Sequence, residues 1–187
     1  MISLNIFAKC PNTGNPKQRM GELLDKKGRS DLAKIMLINI LEEMHNINIS
    51  LKTNLWVYPN IDNEWIKKLS KKYFITLKKQ IGESLCSRMQ NCLLSESALG
   101  GTTLLIGTDI PALSKNSISE AIKTLNNNNI VIGPTYDEGF YLIGIKDQES
   151  AQCLANCENL KNYKDMKNMN SLANQKIYIL EKLKDID

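Results

Sequence analysis

Three cations and a glycine near the amino terminus have the types and spacing of a phosphate-binding loop: Lys9, Gly14, Lys17 and Arg19. A glycine lets the backbone approach a phosphate closely, while lysine and arginine can neutralise a diphosphate, arginine through a two-pronged contact. Gln18 stands where a P-loop would carry a Ser or Thr for magnesium, so this segment is not a P-loop. The pattern predicts a diphosphate-binding loop, and the alternative is a solvated basic loop.

A carboxylate follows the most apolar strand-like run of the chain, residues 102–107. Asp109 lies just after this run, and Pro111 then turns the chain away. Hard divalent cations such as Mg²⁺ or Mn²⁺ prefer oxygen ligands and can bridge the oxygens of a diphosphate. We therefore predict that Asp109 binds such an ion, and the alternative is that its carboxylate only caps the next turn.

Two further segments carry polar residues beside glycines. Asp137 and Glu138 precede Gly139 between two predicted strands, within reach of a metal or a substrate hydroxyl, and either acid could act as a general base. The alternative for this segment is a polar hairpin turn. Gly82 and Arg88 lie around the start of a predicted helix, where the helix N-terminus favours anions. We predict that this pair helps to bind the nucleotide.

Apolar runs and turn residues predict the elements that position these residues. The predicted strands span residues 2–8, 55–58, 73–77, 102–107, 130–132, 140–145 and 176–180, the sixth as a hairpin or edge strand. The predicted helices span 62–72, 83–96, 148–157 and 166–173, with one from an N-cap at Ser30 to about Asn46 and one from Ser114 or Ser117 to Leu125. This alternation predicts a single α/β domain over residues 1–187, a three-layer, mostly parallel sheet flanked by helices. Ligand sites of such sheets lie beyond the carboxyl ends of the strands, where all these loops fall.

Composition excludes several other classes of protein. The 187 residues are 42% hydrophobic and 24% charged, as expected for a globular chain. A net charge of +4 is too small to indicate nucleic-acid binding, and no run approaches the roughly 20 apolar residues of a membrane span. Five irregularly spaced cysteines do not resemble a disulfide framework, so we expect a cytoplasmic protein. The oligomeric state stays open.

Four motifs in order along the chain resemble those of one family. The matched residues of the first are Phe7, Ala8, Lys9, Pro11, Gly14, Lys17 and Arg19; those of the second are Gln80, Gly82, Leu85, Arg88 and Met89. The third matches Leu105 to Asp109, Pro111 and Leu113, and the fourth matches Gly133, Pro134, Asp137, Gly139, Phe140 and Leu142 to Gly144. The chain thus resembles the predicted glycosyltransferases called rSAM/selenodomain-associated transferase 1, a domain-of-unknown-function family among the nucleotide-diphospho-sugar transferases.

This resemblance implies a GT-A fold and a metal-dependent transferase that uses a nucleotide-activated sugar and a small-molecule acceptor. It implies that the first loop holds the nucleotide diphosphate and that Asp109 holds Mg²⁺ or Mn²⁺. The terminal Asp185-Ile186-Asp187 resembles a late D-[IV]-D element, which implies Asp187 as a second metal ligand. Asp137 or Glu138 would then orient or deprotonate an acceptor hydroxyl.

Two other functions fit the same resemblance. One is a nucleotidyltransferase that moves a nucleoside monophosphate from a nucleoside triphosphate to a small phosphorylated acceptor. The other is a non-catalytic nucleotide-binding protein of the same fold. The chain departs from the family pattern at Ser84, Cys86 and Glu138, and the last replaces a glycine. A larger side chain at position 138 would narrow the acceptor pocket or add a ligand.

Overall fold

The computed structural model describes residues 1–156, 162–167, 172 and 174–186, which form a seven-stranded sheet between two layers of helices. The strands are β1 (Ile2–Lys9), β2 (Lys52–Tyr58), β3 (Thr76–Lys79), β4 (Thr102–Ile106), β5 (Ile130–Pro134), β6 (Phe140–Ile145) and β7 (Ile177–Ile179). The helices are α1 (Lys26–His45), α2 (Glu64–Tyr73), α3 (Leu85–Ser97), α4 (Lys115–Thr124), α5 (Gln148–Ala155) and α6 (Tyr163–Lys167). The three-layer α/β architecture is confirmed.

The order of the strands across the sheet is β3-β2-β1-β4-β6-β5-β7. All the pairings are parallel except those of β6, which runs antiparallel to both β4 and β5. The prediction of a mostly parallel sheet is therefore confirmed, as is the hairpin between β5 and β6. The edge position considered for β6 is wrong, because this strand is inserted between two others and its residues from Tyr141 onward are buried.

Alternating side chains divide the core into two parts, one on each face of the sheet. Leu4, Ile6 and Ala8 of β1 pack on one face with α1, α2 and α4. Phe7 packs on the opposite face, together with α3, α5 and α6. Successive residues of a strand point to opposite faces, so a buried run such as β1 supplies both parts of the core.

Several predicted boundaries are wrong. Strand β2 begins at Lys52, three residues before the predicted start at 55, and local features explain two of the other differences. The first helix starts at Lys26 because the Asp25 carboxylate accepts a hydrogen bond from the Gly28 N–H at 2.7 Å, so Asp25 and not Ser30 is the N-cap. The third strand starts at Thr76 because α2 continues to Tyr73 and Phe74 ends it in a left-handed conformation. Ser114, one of the two predicted N-caps, is the N-cap of α4, whereas α3 begins at Leu85 after the N-cap Ser84, two residues later than predicted.

The carboxyl-terminal part agrees with the predictions in its final strand but not at the start of its last helix. Helix α6 begins at Tyr163, before the predicted start at residue 166, and the predicted continuation to residue 173 lies largely outside the described residues. Strand β7 lies within the predicted strand 176–180. None of the helices in the described part of the chain combines the length and hydropathy that a bilayer span requires.

A buried carboxylate links the sheet to α3. The Glu96 side chain is 1% exposed, forms an ion pair with Lys78, and lies 3.8 Å from Lys52 Nζ. Its Oε2 accepts a hydrogen bond from Asn54 at 3.0 Å, and Asn54 in turn donates to Asn5 at 2.9 Å. Because a buried carboxylate is costly unless it is paired and hydrogen-bonded, these partners are what allow Glu96 to remain in the core.

Truncation of this carboxylate should destabilise the fold. We expect Glu96→Ala to lower the free energy of unfolding by about 1–3 kcal/mol, because Asn54 and Lys78 lose their shared acceptor. Urea denaturation followed by circular dichroism measures the change. The matched control is Glu22→Ala, at an exposed position, for which a change within about 0.5 kcal/mol is expected. Equal changes in the two variants would contradict the structural role of Glu96.

Candidate functional site

Three polar loops meet at one edge of the sheet. The loops after β1 and β4 leave the carboxyl ends of adjacent parallel strands. Because β6 runs in the opposite direction, the short turn between β5 and β6 lies at the same edge. This topology brings together the segments that contain Lys17, Asp109 and Asp137, as expected for a site at the carboxyl edge of an α/β sheet.

Lys17 and Asp109 form an ion pair at the centre of this edge. The Lys17 Nζ lies 2.7 Å from Asp109 Oδ1, and the lysine side chain is 3% exposed whereas that of Asp109 is 49% exposed. The ammonium group also donates a hydrogen bond to the Ile186 carbonyl. The Ile186 N–H donates to the Asp109 carbonyl at 2.9 Å. The carboxyl-terminal segment is therefore a third component of the centre.

The backbone of the first loop is tightly folded. The Gly14 N–H donates to the Cys10 carbonyl at 2.7 Å, and a Cβ at position 14 would lie 2.8 Å from that oxygen. Glycine is therefore required at this position by close approach of the backbone. Lys17 adopts a left-handed conformation at φ 53°, and Lys9 lies exposed at the end of β1. Any contact of Gly14 or Lys9 with a diphosphate stays a prediction.

Asp137 is held by the turn in which it lies. Its Oδ1 accepts hydrogen bonds from the Thr135 hydroxyl and from the Gly139 N–H, and its Oδ2 lies 4.0 Å from Arg19. The Thr135 hydrogen bond is the largest cause of a lowered pKa for Asp137, and the Gly139 N–H and the Arg19 charge add to it. The Asp137 side chain is half exposed, and its carboxylate lies beside the exposed Arg19 side chain.

Glu138 has different partners from its neighbour. Its carboxylate pairs with Lys164 and accepts a hydrogen bond from the Asn162 side chain at 3.2 Å. Both contacts lower the pKa of Glu138, the Lys164 hydrogen bond most. The residue adopts φ 73°, a left-handed conformation that glycine would adopt without strain. In the structure the side chain at 138 joins the turn to α6, and its role toward an acceptor stays a prediction.

Gly82 lies in the loop that follows β3, and Arg88 lies in the first turn of α3. The Arg88 guanidinium stacks on the Tyr58 ring at 4.1 Å and donates to Gln80 Oε1 at 3.1 Å. Gly82 has φ 136°, and a Cβ there would lie 2.6 Å from the Ser87 hydroxyl. Arg88 is buried, and its guanidinium also donates to the Gly82 and Glu83 carbonyls at 3.5 and 3.4 Å. Nucleotide contacts of the two residues remain predicted.

The described residues include oxygen atoms that suit a hard divalent ion. The Asp109 carboxylate and the Ile186 carbonyl both contact one cation, the Lys17 ammonium group, so a positive charge fits between them. No group of three or more His, Cys, Asp or Glu residues able to hold a metal occurs among the described residues. A divalent ion at Asp109 would therefore keep several water ligands, as Mg²⁺ commonly does. Asp187, the predicted second ligand, lies outside the described residues.

Sequence reasoning missed several residues that complete this edge. Thr135 hydrogen-bonds Asp137, Lys164 pairs with Glu138, and Ile186 bridges Lys17 and Asp109 through its backbone. A threonine two residues before an aspartate is a weak local signal for such a hydrogen bond. The contacts of Lys164 and Ile186 depend on tertiary structure and leave no signal in the local sequence.

Comparisons with known proteins support the family and the fold. A family model described as "Uncharacterized protein conserved in bacteria (DUF2064)" matches residues 46–158, more than half of the chain. No curated protein matches the chain. Among solved structures, the chain is similar to a Desulfovibrio desulfuricans G20 protein provisionally described as a nucleotide-diphospho-sugar transferase. That match has a TM-score of 0.84, 22% identity, and covers 100% of this chain and 82% of the other.

Two more distant structures share the fold. A CMP:2-keto-3-deoxy-manno-octonic acid synthetase complexed with CTP aligns at TM-score 0.60 and 10% identity, covering 100% of this chain and 92% of the other. Rv0371c from Mycobacterium tuberculosis H37Rv, in complex with manganese, aligns at TM-score 0.54 and 10% identity, covering 99% and 89%. The predicted resemblance is confirmed at the level of family and fold.

The turn around Asp137 yields a prediction about its pKa. We expect Thr135→Val to raise the pKa of Asp137 toward its ordinary value, because the main hydrogen bond to the carboxylate is removed. In the wild type this hydrogen bond contributes stability above the ordinary pKa of aspartate, which is lost as the pH falls through the lowered folded pKa. NMR titration of the side-chain carboxyl carbon measures the shift. Thr108→Val is the matched control and should leave the pKa of Asp137 unchanged.

Proposed function

The chain belongs to the DUF2064 family, and we propose that it is a metal-dependent transferase that uses a nucleotide-activated sugar. The observation that supports this proposal most is the meeting of Lys17 and Asp109 at the carboxyl edge of the sheet, 2.7 Å apart. A lysine and a carboxylate side by side can hold the two components of a metal diphosphate. The lysine would bind the anionic oxygens, and the carboxylate would bind the ion. The likeness in fold to a protein provisionally described as a nucleotide-diphospho-sugar transferase agrees with it.

The residues of the first loop would bind the diphosphate. Arg19, whose side chain is 73% exposed, extends into solvent beside Asp137 and would contact the phosphate oxygens, with Lys9, Lys17 and the Gly14 backbone nearby. Gly82 and Arg88 would shape the loop that receives the nucleotide. In this proposal Asp109 and Asp187 would hold Mg²⁺ or Mn²⁺. The ion would supply the positive charge that stabilises a departing diphosphate. The manganese complex of a protein with the same fold supports this choice of ion.

Asp137 would act on the acceptor, and its lowered pKa defines how. A general base works best when its pKa is near the operating pH, whereas the pKa of Asp137 is held below its ordinary value by Thr135 and Gly139. Such a carboxylate is ionised at neutral pH and is a weak base. It would therefore orient an acceptor hydroxyl through a hydrogen bond, and Glu138 would position the turn through Lys164.

A second candidate function is nucleotidyl transfer from a nucleoside triphosphate to a small phosphorylated acceptor. The fold shared with a synthetase complexed with CTP favours this alternative. The same loop and carboxylate would serve both reactions, because each reaction breaks a bond next to a diphosphate-like group. The two differ in the bond that breaks: the first at the sugar carbon, the second at the α-phosphorus atom.

Ligand binding should depend on Asp109. In a thermal-shift screen of nucleotides and nucleotide sugars, a ligand at about 100 times its Kd stabilises the protein by about 2.7 kcal/mol. For a chain of this size that corresponds to a rise in Tm of roughly 5–10 °C. We expect this rise with Mn²⁺ present and its loss in Asp109→Asn. The matched control Glu149→Gln, at the opposite edge of the sheet, should keep the rise, and an unchanged rise in Asp109→Asn would contradict the assignment.

The released product separates the two reactions. We expect the ligand identified by the screen to be a nucleotide sugar whose turnover with an acceptor releases a nucleoside diphosphate. Chromatography of the nucleotides and a coupled assay for pyrophosphate measure the two products in parallel. Pyrophosphate release from a nucleoside triphosphate would identify nucleotidyl transfer. If neither product forms while the ligand still binds, the protein is a non-catalytic nucleotide-binding protein.

A further inference from the structure

The Lys17 ammonium group is a buried cation at the position proposed for a metal ion. Its side chain is 3% exposed, although the Asp109 carboxylate beside it is 49% exposed. Lysine is almost never this buried unless its charge is paired. The pairing here uses two oxygen atoms from distant parts of the chain, the Asp109 carboxylate and the Ile186 carbonyl. Both are the kind of hard oxygen that a divalent ion selects.

An ammonium group and a divalent ion cannot both occupy the position between these two oxygens. The Lys17 Nζ lies 2.7 Å from Asp109 Oδ1. At this distance the ammonium group fills the space that an ion coordinated by this oxygen would take. Two cations at such a separation repel strongly, and the low exposure of Lys17 limits screening by water. Binding of a divalent ion between Asp109 Oδ1 and the Ile186 carbonyl therefore requires the ammonium group to leave.

The structure provides a way for Lys17 to leave. Lysine has a flexible four-carbon stem, and the residue lies in a loop between β1 and α1. The neighbouring Arg19 side chain is 73% exposed, so solvent reaches this side of the loop. The carboxyl-terminal segment has ties of its own, because the Ile186 N–H donates to the Asp109 carbonyl and the Leu183 N–H donates to the Pro134 carbonyl. Departure of Lys17 would leave these two bonds in place.

We propose that Lys17 is a built-in exchange cation, which occupies the Asp109 carboxylate in the metal-free protein and is displaced to solvent when a divalent ion binds. The displaced ammonium group then becomes available to an anionic ligand on the exposed side of the first loop. Metal binding thereby prepares the loop for a diphosphate. This inference rests on the proposed metal role of Asp109.

Metal affinity tests the exchange. Mn²⁺ binding is measured by electron paramagnetic resonance of the free ion, with wild type, Lys17→Met, Lys184→Met and Asp109→Asn. Removal of the competing ammonium group should lower the Kd of Lys17→Met by roughly tenfold. The Lys184→Met control removes an exposed lysine of the carboxyl-terminal segment and should change the Kd by less than about twofold. Asp109→Asn should abolish binding.

A second measurement uses the wild-type chain and does not depend on how well the variant folds. Reductive methylation followed by peptide mass spectrometry gives the labelling rate of each lysine. Lys17 should react slowly without metal, because its side chain is buried, and several-fold faster with Mn²⁺. Lys184, which is exposed, serves as the internal standard and should react at the same rate in both conditions.

The possible results separate this inference from the proposed function. An unchanged or weaker Mn²⁺ affinity of Lys17→Met, or a Lys17 labelling rate that Mn²⁺ leaves unchanged, overturns the exchange. If Asp109→Asn still abolishes binding in that case, the proposed metal role stands and Lys17 only positions the carboxylate. If neither wild type nor Lys17→Met binds Mn²⁺, both the exchange and the metal dependence are overturned.

Discussion

The ion pair between Lys17 and Asp109 connects parts of the chain that are far apart in sequence. One partner follows β1, the other follows β4, and the Ile186 carbonyl adds the carboxyl-terminal segment. None of these groups can reach the others until β1 and β4 have paired and β7 has joined β5. The centre of the candidate site is thus a product of the complete sheet. Burial of the lysine strengthens this dependence, because a buried charge must keep its partners.

The reversed strand β6 gives the site its second half. In a parallel sheet, successive strands are connected by crossovers that carry the chain back to the opposite edge. Here β5 and β6 are joined by a short turn, and the antiparallel direction of β6 keeps Thr135 to Gly139 at the carboxyl edge. Asp137 is therefore placed by two strands and a turn, without a helix. The turn's own backbone N–H and hydroxyl groups hold the carboxylate.

The sequence predicted those features that depend on local pattern. The buried strands β1 and β4, the glycine at position 14 and the carboxylate at the end of β4 follow from apolar runs and turn residues that are visible in the chain. The start of α1 was misplaced because Ser30 and Asp25 are both good N-cap residues, and a glycine at position 28 weakened the helical signal before Ser30. The burial of Lys17 could not be predicted, since it depends on Ile186, a residue almost the whole chain away.

The two adjacent acids of the β5–β6 turn show how tertiary contacts separate residues that the sequence treats alike. Both carboxyl groups have a lowered pKa, but the causes differ: Thr135 and the turn backbone for Asp137, Lys164 and Asn162 for Glu138. The Glu138 contacts use both carboxylate oxygens and join the turn to α6. The two hydrogen bonds to Asp137 use only Oδ1, and its Oδ2 faces Arg19 at 4.0 Å. Of the pair, Asp137 is therefore the acid with an oxygen directed toward the cationic loop.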